Sequence, residues 1–129
     1  MKTPDTITVD TGTQSYPIYI GRGFLADAAA YIPLDAKGRA FFVLSDAAVT
    51  SCAALIVASL KSAGARAVHV LEIKAGEQAK SLNELNRVLM WMLDNGVDRK
   101  SALIAVGGGV TGDLGGFAAS VVLRGIPFV

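Results

Sequence analysis

The sequence predicts an α/β fold of the doubly wound type, an open and mostly parallel sheet with helices on both faces and a β-hairpin in front of it. Three observations carry this. Short segments of strand length at Ala40–Leu44, Ala67–Ile73 and Ala102–Val106 are dominated by apolar residues, and the first and last are unbroken apolar runs, the pattern of strands covered on both sides. Two segments with apolar residues at helical spacing separate them, and a cluster of glycines follows the last. Strands alternating with helices imply right-handed crossovers and hence a parallel sheet.

Taken in order, Thr6–Asp10 and Tyr16–Ile20 place β-branched or aromatic residues among polar ones on either side of Thr11-Gly12-Thr13, which predicts a hairpin. Gly23–Tyr31 is expected to form a short helix. The run Ala40–Leu44 ends at Ser45-Asp46, and Ala47–Ala63 follows with Val49, Cys52, Ile56 and Leu60 one helical turn apart until Gly64 stops it. After the strand Ala67–Ile73 comes a polar loop, Lys74 to Ala79. Ser81 and Glu84 then have the spacing of a capping box, and Leu82, Leu85, Leu89 and Met92 mark one apolar face as far as Asn95-Gly96. Gly107-Gly108-Gly109 opens a helix expected to reach about Leu123, and Pro127-Phe128-Val129 reads as the start of another strand.

A chain of 129 residues, 52% of them hydrophobic, has material for one compact core, so residues 1–129 are expected to be a single domain. Twelve basic and 11 acidic residues are spread evenly, giving a net charge of +1, and no basic stripe points to nucleic acid or to an anionic membrane. Cys52 is the only cysteine, which excludes an internal disulfide, and its alanine-rich setting suits a small packed residue better than a nucleophile. The N-terminus has no apolar signal core, and no run of about 18 apolar residues follows, so a cytoplasmic setting is expected. Stopping on the first residues of a strand suggests a longer parent protein, and the sheet edge left open there predicts association.

The chemistry concentrates after the last predicted strand. Gly107-Gly108-Gly109-Val110-Thr111-Gly112-Asp113 contains G-x-G-x-x-G where a strand passes into a helix, which makes the fold Rossmann-like. Glycines let the backbone turn tightly and approach a pyrophosphate, and the unpaired N–H groups of the helix start face the anion. The alternative is a tight turn with no ligand. Asp46 follows a strand end, where a carboxylate can accept from ribose hydroxyls or simply cap the next helix. Glu77 and Lys80 lie beyond another strand end and can reach the same crevice, or serve only as solvated charges. Asp113, one turn into the glycine helix, gains from the helix dipole but repels a pyrophosphate placed beside it, so it suits a neutral or cationic part of a ligand. Arg124 suits either the dipole at the end of that helix or an anion clamp. His69 has no neighbour at ligand spacing, so no complete metal site is expected.

The segment Gly107 to Ala119 with Leu123-Arg124-Gly125, the loop Gly76-Glu77-Gln78-Ala79-Lys80-Ser81 and the acidic Ser45-Asp46 together resemble the 3-dehydroquinate synthase family in order and spacing. Ala75 departs from it, standing where proline usually precedes the G-E pair. The resemblance implies the N-terminal NAD-binding domain of such an enzyme, with NAD held by Asp46, Glu77, Lys80, Gly108, Gly109, Val110 and Asp113. It implies that Arg124 contacts the sugar-phosphate substrate, in the family across a homodimer. It also implies a helical C-terminal domain with a zinc or cobalt site, whose ligands and catalytic lysines this sequence does not contain. The implied reaction belongs to the shikimate pathway: 3-deoxy-D-arabino-heptulosonate 7-phosphate becomes 3-dehydroquinate with release of phosphate, and the chain alone is expected to be inactive. Other sugar-phosphate cyclases, enzymes of the glycerol dehydrogenase type and a standalone nucleotide-binding or association module remain as alternatives.

Overall fold

A computed structural model describes residues 3–129. Strands β1 (Asp5–Asp10) and β2 (Ser15–Ile20) form an antiparallel hairpin closed by Thr11–Gln14, where Gly12 takes a φ of 84° and its N–H donates to Asp10 Oδ1 at 2.8 Å. The hairpin stands apart from the main sheet. Tyr19 packs edge-on against Tyr31, which also meets Phe24, and these rings fasten the hairpin to the segment that follows. That segment, expected as a helix over 23–31, is a 3₁₀ stretch, Leu25–Ala30, broken at Asp27.

Strands β3 (Ala40–Asp46), β4 (Ala67–Ile73) and β5 (Ala102–Val106) form a parallel sheet in the order β4-β3-β5. Residues 127–129 extend it: Leu103 and Ala105 donate their N–H groups to the carbonyls of Pro127 and Val129 at 3.0 and 2.9 Å, and Val129 donates back to Leu103. The predicted further strand therefore begins alongside β5, parallel to it.

Side chains alternate across β3, and this sorts the helices. Phe42 and Leu44 face Val88 and Met92 of α2 (Leu82–Asp94) and Leu114 and Ala118 of α3 (Gly109–Val121). Phe41 and Val43 face Ala53, Ile56 and Leu60 of α1 (Thr50–Ser62). All four β3 side chains are fully buried, as the unbroken apolar run implies. α1 begins three residues later than expected, after a 3₁₀ turn over Ala47–Val49, because Val49 leaves helical geometry.

Two expectations about the helices need correction. Leu82 does not share the buried face of α2: the first residue of the helix, it is 83% exposed, and Val88 fills the core instead. α3 ends at Val121, two residues before the expected Leu123, and Leu123 and Arg124 then adopt left-handed φ values of 48° and 66°. Half of the capping box at Ser81 is present, with Glu84 N donating to Ser81 Oγ at 3.2 Å, while the Glu84 carboxylate pairs with Arg87.

Glycine has a packing role within α3. A Cβ on Gly115 would lie 3.1 Å from Leu103 and 3.3 Å from Ala105, and one on Gly116 would lie 3.3 Å from Phe128. The helix can rest this closely on β5 and its neighbour only because those positions carry no side chain.

Candidate functional site

From β3 the chain runs into α1 on one face of the sheet, and from β5 it runs into α3 on the other. The two exits diverge, which leaves a crevice between the carboxyl ends of adjacent strands at the topological switch point. Asp46 ends β3 and Gly107 follows β5, so the chemistry-bearing turns of the sequence flank this opening.

Contact across the opening is close. A Cβ on Gly107 would come within 3.0 Å of Asp46 Cβ and 2.6 Å of Thr111 Oγ1, so a side chain at 107 has no room. The opposite holds for the next residues: a Cβ on Gly108, Gly109 or Gly112 would meet no atom within 4 Å. Packing within the chain does not require glycine at these three positions, where the backbone borders open space. Gly108 is the N-cap of α3, and no side chain caps the helix there, so its first N–H groups face that space without a side-chain partner.

One turn further on, Asp113 meets the loop that follows β4. Lys80 Nζ lies 2.9 Å from Asp113 Oδ2 and 3.8 Å from Glu77 Oε2, which joins three residues that the sequence singled out separately. The hydrogen bond to Asp113, then the attraction of the Asp113 and Glu77 carboxylates, raise the Lys80 ammonium above its ordinary pKa of 10.5. Lys80, Asp113, Leu82 and Phe117 border a pocket of about 400 Å³, and the exposed Leu82 and Phe117 give it apolar walls.

Asp46 acts as a cap, accepting from Ala48 N at 2.9 Å through Oδ1. Val110 lies in the first turn of α3, half-buried between the exposed glycines and Thr111. The structure thus brings Asp46, Gly108, Gly109, Val110, Asp113, Lys80 and Glu77 to one end of the sheet. Arg124 stands at the other end of α3, about 20 Å along the helix axis at 1.5 Å per residue. It lies three residues beyond the end of α3, in left-handed backbone geometry.

Thr111 escaped sequence reasoning. It is completely buried, and Oγ1 is, among the described residues, the one buried side-chain polar atom without a hydrogen-bond partner. The only sequence signal was a polar residue inside an otherwise glycine-rich motif. Cys52 packs against the α1 core, and His69 stacks on Phe42 with ring centres 4.9 Å apart. Among the described residues no three His, Cys, Asp or Glu side chains cluster to hold a metal ion, and no helix is long and apolar enough to cross a membrane.

Residues 70–129 match the family model described as 3-dehydroquinate synthase N-terminal. The chain is 42% identical to the 3-dehydroquinate synthase of Desulforamulus reducens, over 96% of this chain and 34% of that protein. It is 46% identical to the one from Rhodospirillum rubrum, over 95% of this chain and 32% of that protein. It therefore spans about a third of the length of the curated relatives it matches. Among solved structures, 2-deoxy-scyllo-inosose synthase complexed with carbaglucose-6-phosphate, NAD+ and Co2+ superimposes with a TM-score of 0.82 and 27% identity, covering 96% of this chain and 34% of that one. These matches bear out both the family resemblance and the Rossmann-like fold.

Proposed function

We propose that this chain, whose residues 70–129 match the N-terminal model of the 3-dehydroquinate synthase family, is an NAD-binding unit whose cofactor lies across the carboxyl ends of β3 and β5. The observation that carries this is the open backbone at Gly108, Gly109 and Gly112, set at an α3 start with no side-chain cap. Such a start offers N–H groups and a positive dipole end to a pyrophosphate, and any side chain there would keep the anion away. Asp46 is placed to accept from a ribose, and Val110 gives the turn an apolar contact. Lys80 lies between Glu77 and Asp113 and offers a cation at the same end of the sheet. With its charge shared by two carboxylates, Lys80 offsets part of the acidity that would otherwise repel NAD.

In a full-length protein of this family, NAD held here would supply reversible hydride transfer for the conversion of heptulosonate 7-phosphate to 3-dehydroquinate and phosphate. Arg124, remote from the crevice, would serve the phosphate-bearing substrate from a partner subunit of a homodimer. The residues described here do not fit a zinc or cobalt centre, and that chemistry is assigned to a separate domain.

Calorimetry with NAD tests the cofactor site. The chain is expected to bind weakly, because a crevice walled on one side buries less of the ligand. Gly109→Asp should fold normally, since position 109 is open, and should lose the heat. Equal heats from both proteins would remove the glycine turn from the site.

A further inference from the structure

Thr111 occupies the third position of α3, where a threonine ordinarily returns its hydroxyl to the carbonyl three or four residues back. Those residues are Gly108 and Gly107. Their backbone is not helical, with φ of 157° at Gly107 and φ, ψ of −90° and −162° at Gly108, and neither carbonyl receives the hydroxyl. Oγ1 instead lies beneath Gly107, 2.6 Å from where a Cβ would stand, at the junction with Asp46. The other polar side chains of this floor are engaged: Asp46 accepts from Ala48 N, and Ser45 Oγ donates to Asp46 O at 3.0 Å. An unpaired hydroxyl buried among satisfied neighbours is unfavourable, and in a native fold it calls for a reason.

We propose that Thr111 is a positioning residue of the glycine turn: its hydroxyl gains its hydrogen bond from the turn only when an anion holds residues 107–109, so filling the crevice and satisfying Thr111 are one event. Two features besides the helix start support this. The orphaned atom sits directly under the part of the backbone that would touch the ligand, and the residues between are glycines, which can change conformation at little steric cost. The free chain thus carries an unfavourable unpaired hydroxyl that binding relieves, and the hydrogen bond gained adds to the binding energy. The inference rests on the NAD reading above.

The test is a pair of substitutions read by two instruments. Thr111→Val keeps the shape and removes the hydroxyl, whereas Thr111→Ser keeps the hydroxyl and removes the methyl. Thermal unfolding of the ligand-free chain should show Thr111→Val at or above the wild-type Tm, because an unpaired group has been removed. NAD calorimetry should show Thr111→Val weakened by about five- to tenfold, the scale of one hydrogen bond, with Thr111→Ser within about twofold of wild type despite a lower Tm. Equal NAD affinity for wild type and Thr111→Val would overturn the proposal while leaving the NAD site standing. A lower Tm for Thr111→Val would also overturn it, since the hydroxyl would then be paired in the free chain. Absence of any heat from the wild type would sink the NAD reading itself, and the role of Thr111 with it.

Discussion

Lys80 Nζ and Asp113 Oδ2, 33 positions apart in sequence, stand 2.9 Å apart and tie the loop after β4 to the first turns of α3. Both groups are well exposed, with 40% and 68% of their side-chain surface open to solvent, so the pair belongs to the site more than to the stability of the fold. Its lysine pKa is raised above 10.5, chiefly by the hydrogen bond to Asp113 and then by the attraction of Asp113 and Glu77. The sign follows from that: the attraction is complete below the pKa of an unpaired lysine and fades as pH climbs through the raised value. Asp113→Asn should bring the Lys80 titration down towards 10.5 in an NMR experiment, with Tm almost unchanged. An unmoved titration would mean that the two groups do not meet in solution.

Glycines within α3 should separate into two kinds on substitution. Gly112 has open space around it, so Gly112→Ala should stabilise the helix by about 0.5–1 kcal/mol through helix propensity. If the proposed NAD site is right, the same methyl intrudes on the crevice and weakens NAD binding. Gly115→Ala meets Leu103, Ala105 and Phe128 at 3.1 to 3.4 Å, and overpacking of about 1–3 kcal/mol should outweigh the propensity gain. Denaturant unfolding of the two variants checks the opposite signs; a Gly115→Ala protein more stable than wild type would show that α3 can lift from the sheet freely.

How far the sequence carried is clear at particular residues. The unbroken apolar run of β3 announced burial on both faces, and all its core residues are buried. Glycine spacing placed the α3 start and thereby the crevice. Leu82 was misread because helical periodicity reports a direction around the helix and says nothing of what packs against its first turn. The Lys80–Asp113 contact was not legible, since it depends on how a loop folds back over a helix in another βα unit. Thr111 was missed for a related reason: whether a hydroxyl finds a partner is decided by the backbone geometry of its neighbours.

At the opposite end of the sheet, Asp98 holds the approach to β5. Its Oδ1 accepts from Lys100 N, Ser101 N and Ser101 Oγ at 2.9 to 3.0 Å, and Oδ2 meets Arg66 at 3.1 Å. Burial pushes its pKa up, but the Ser101 hydroxyl, the two backbone N–H groups and Arg66 together hold it below 3.8. This contribution is therefore present above the unfolded carboxyl's pKa and is lost as pH falls through the lowered value. Asp98→Ala should cost about 1 kcal/mol at neutral pH, on the scale of a lost cap, and the deficit should shrink in acid. Urea titrations at neutral and acidic pH measure both; a deficit independent of pH would point to chain geometry and away from the carboxylate.

Beyond α3, Leu123 and Arg124 both hold left-handed backbone, with φ of 48° and 66°, before Gly125 at 110°. Two consecutive non-glycine residues in this region are unfavourable by roughly 1 kcal/mol each, and the surroundings must hold them there. Part of that hold is visible: Gly125 N donates to Val122 O at 2.8 Å, and Ile126 N donates to Ala119 O at 2.9 Å, closing the backbone around the two residues. Arg124 is exposed and makes no ion pair among the described residues, so no salt bridge of its side chain offsets the strain. Arg124→Gly should accordingly raise stability by about 0.5–1 kcal/mol, because glycine adopts this conformation without penalty. If Arg124→Gly instead destabilises the protein by 1 kcal/mol or more, the side chain packs within the fold, and the proposal that it serves a substrate loses its physical argument.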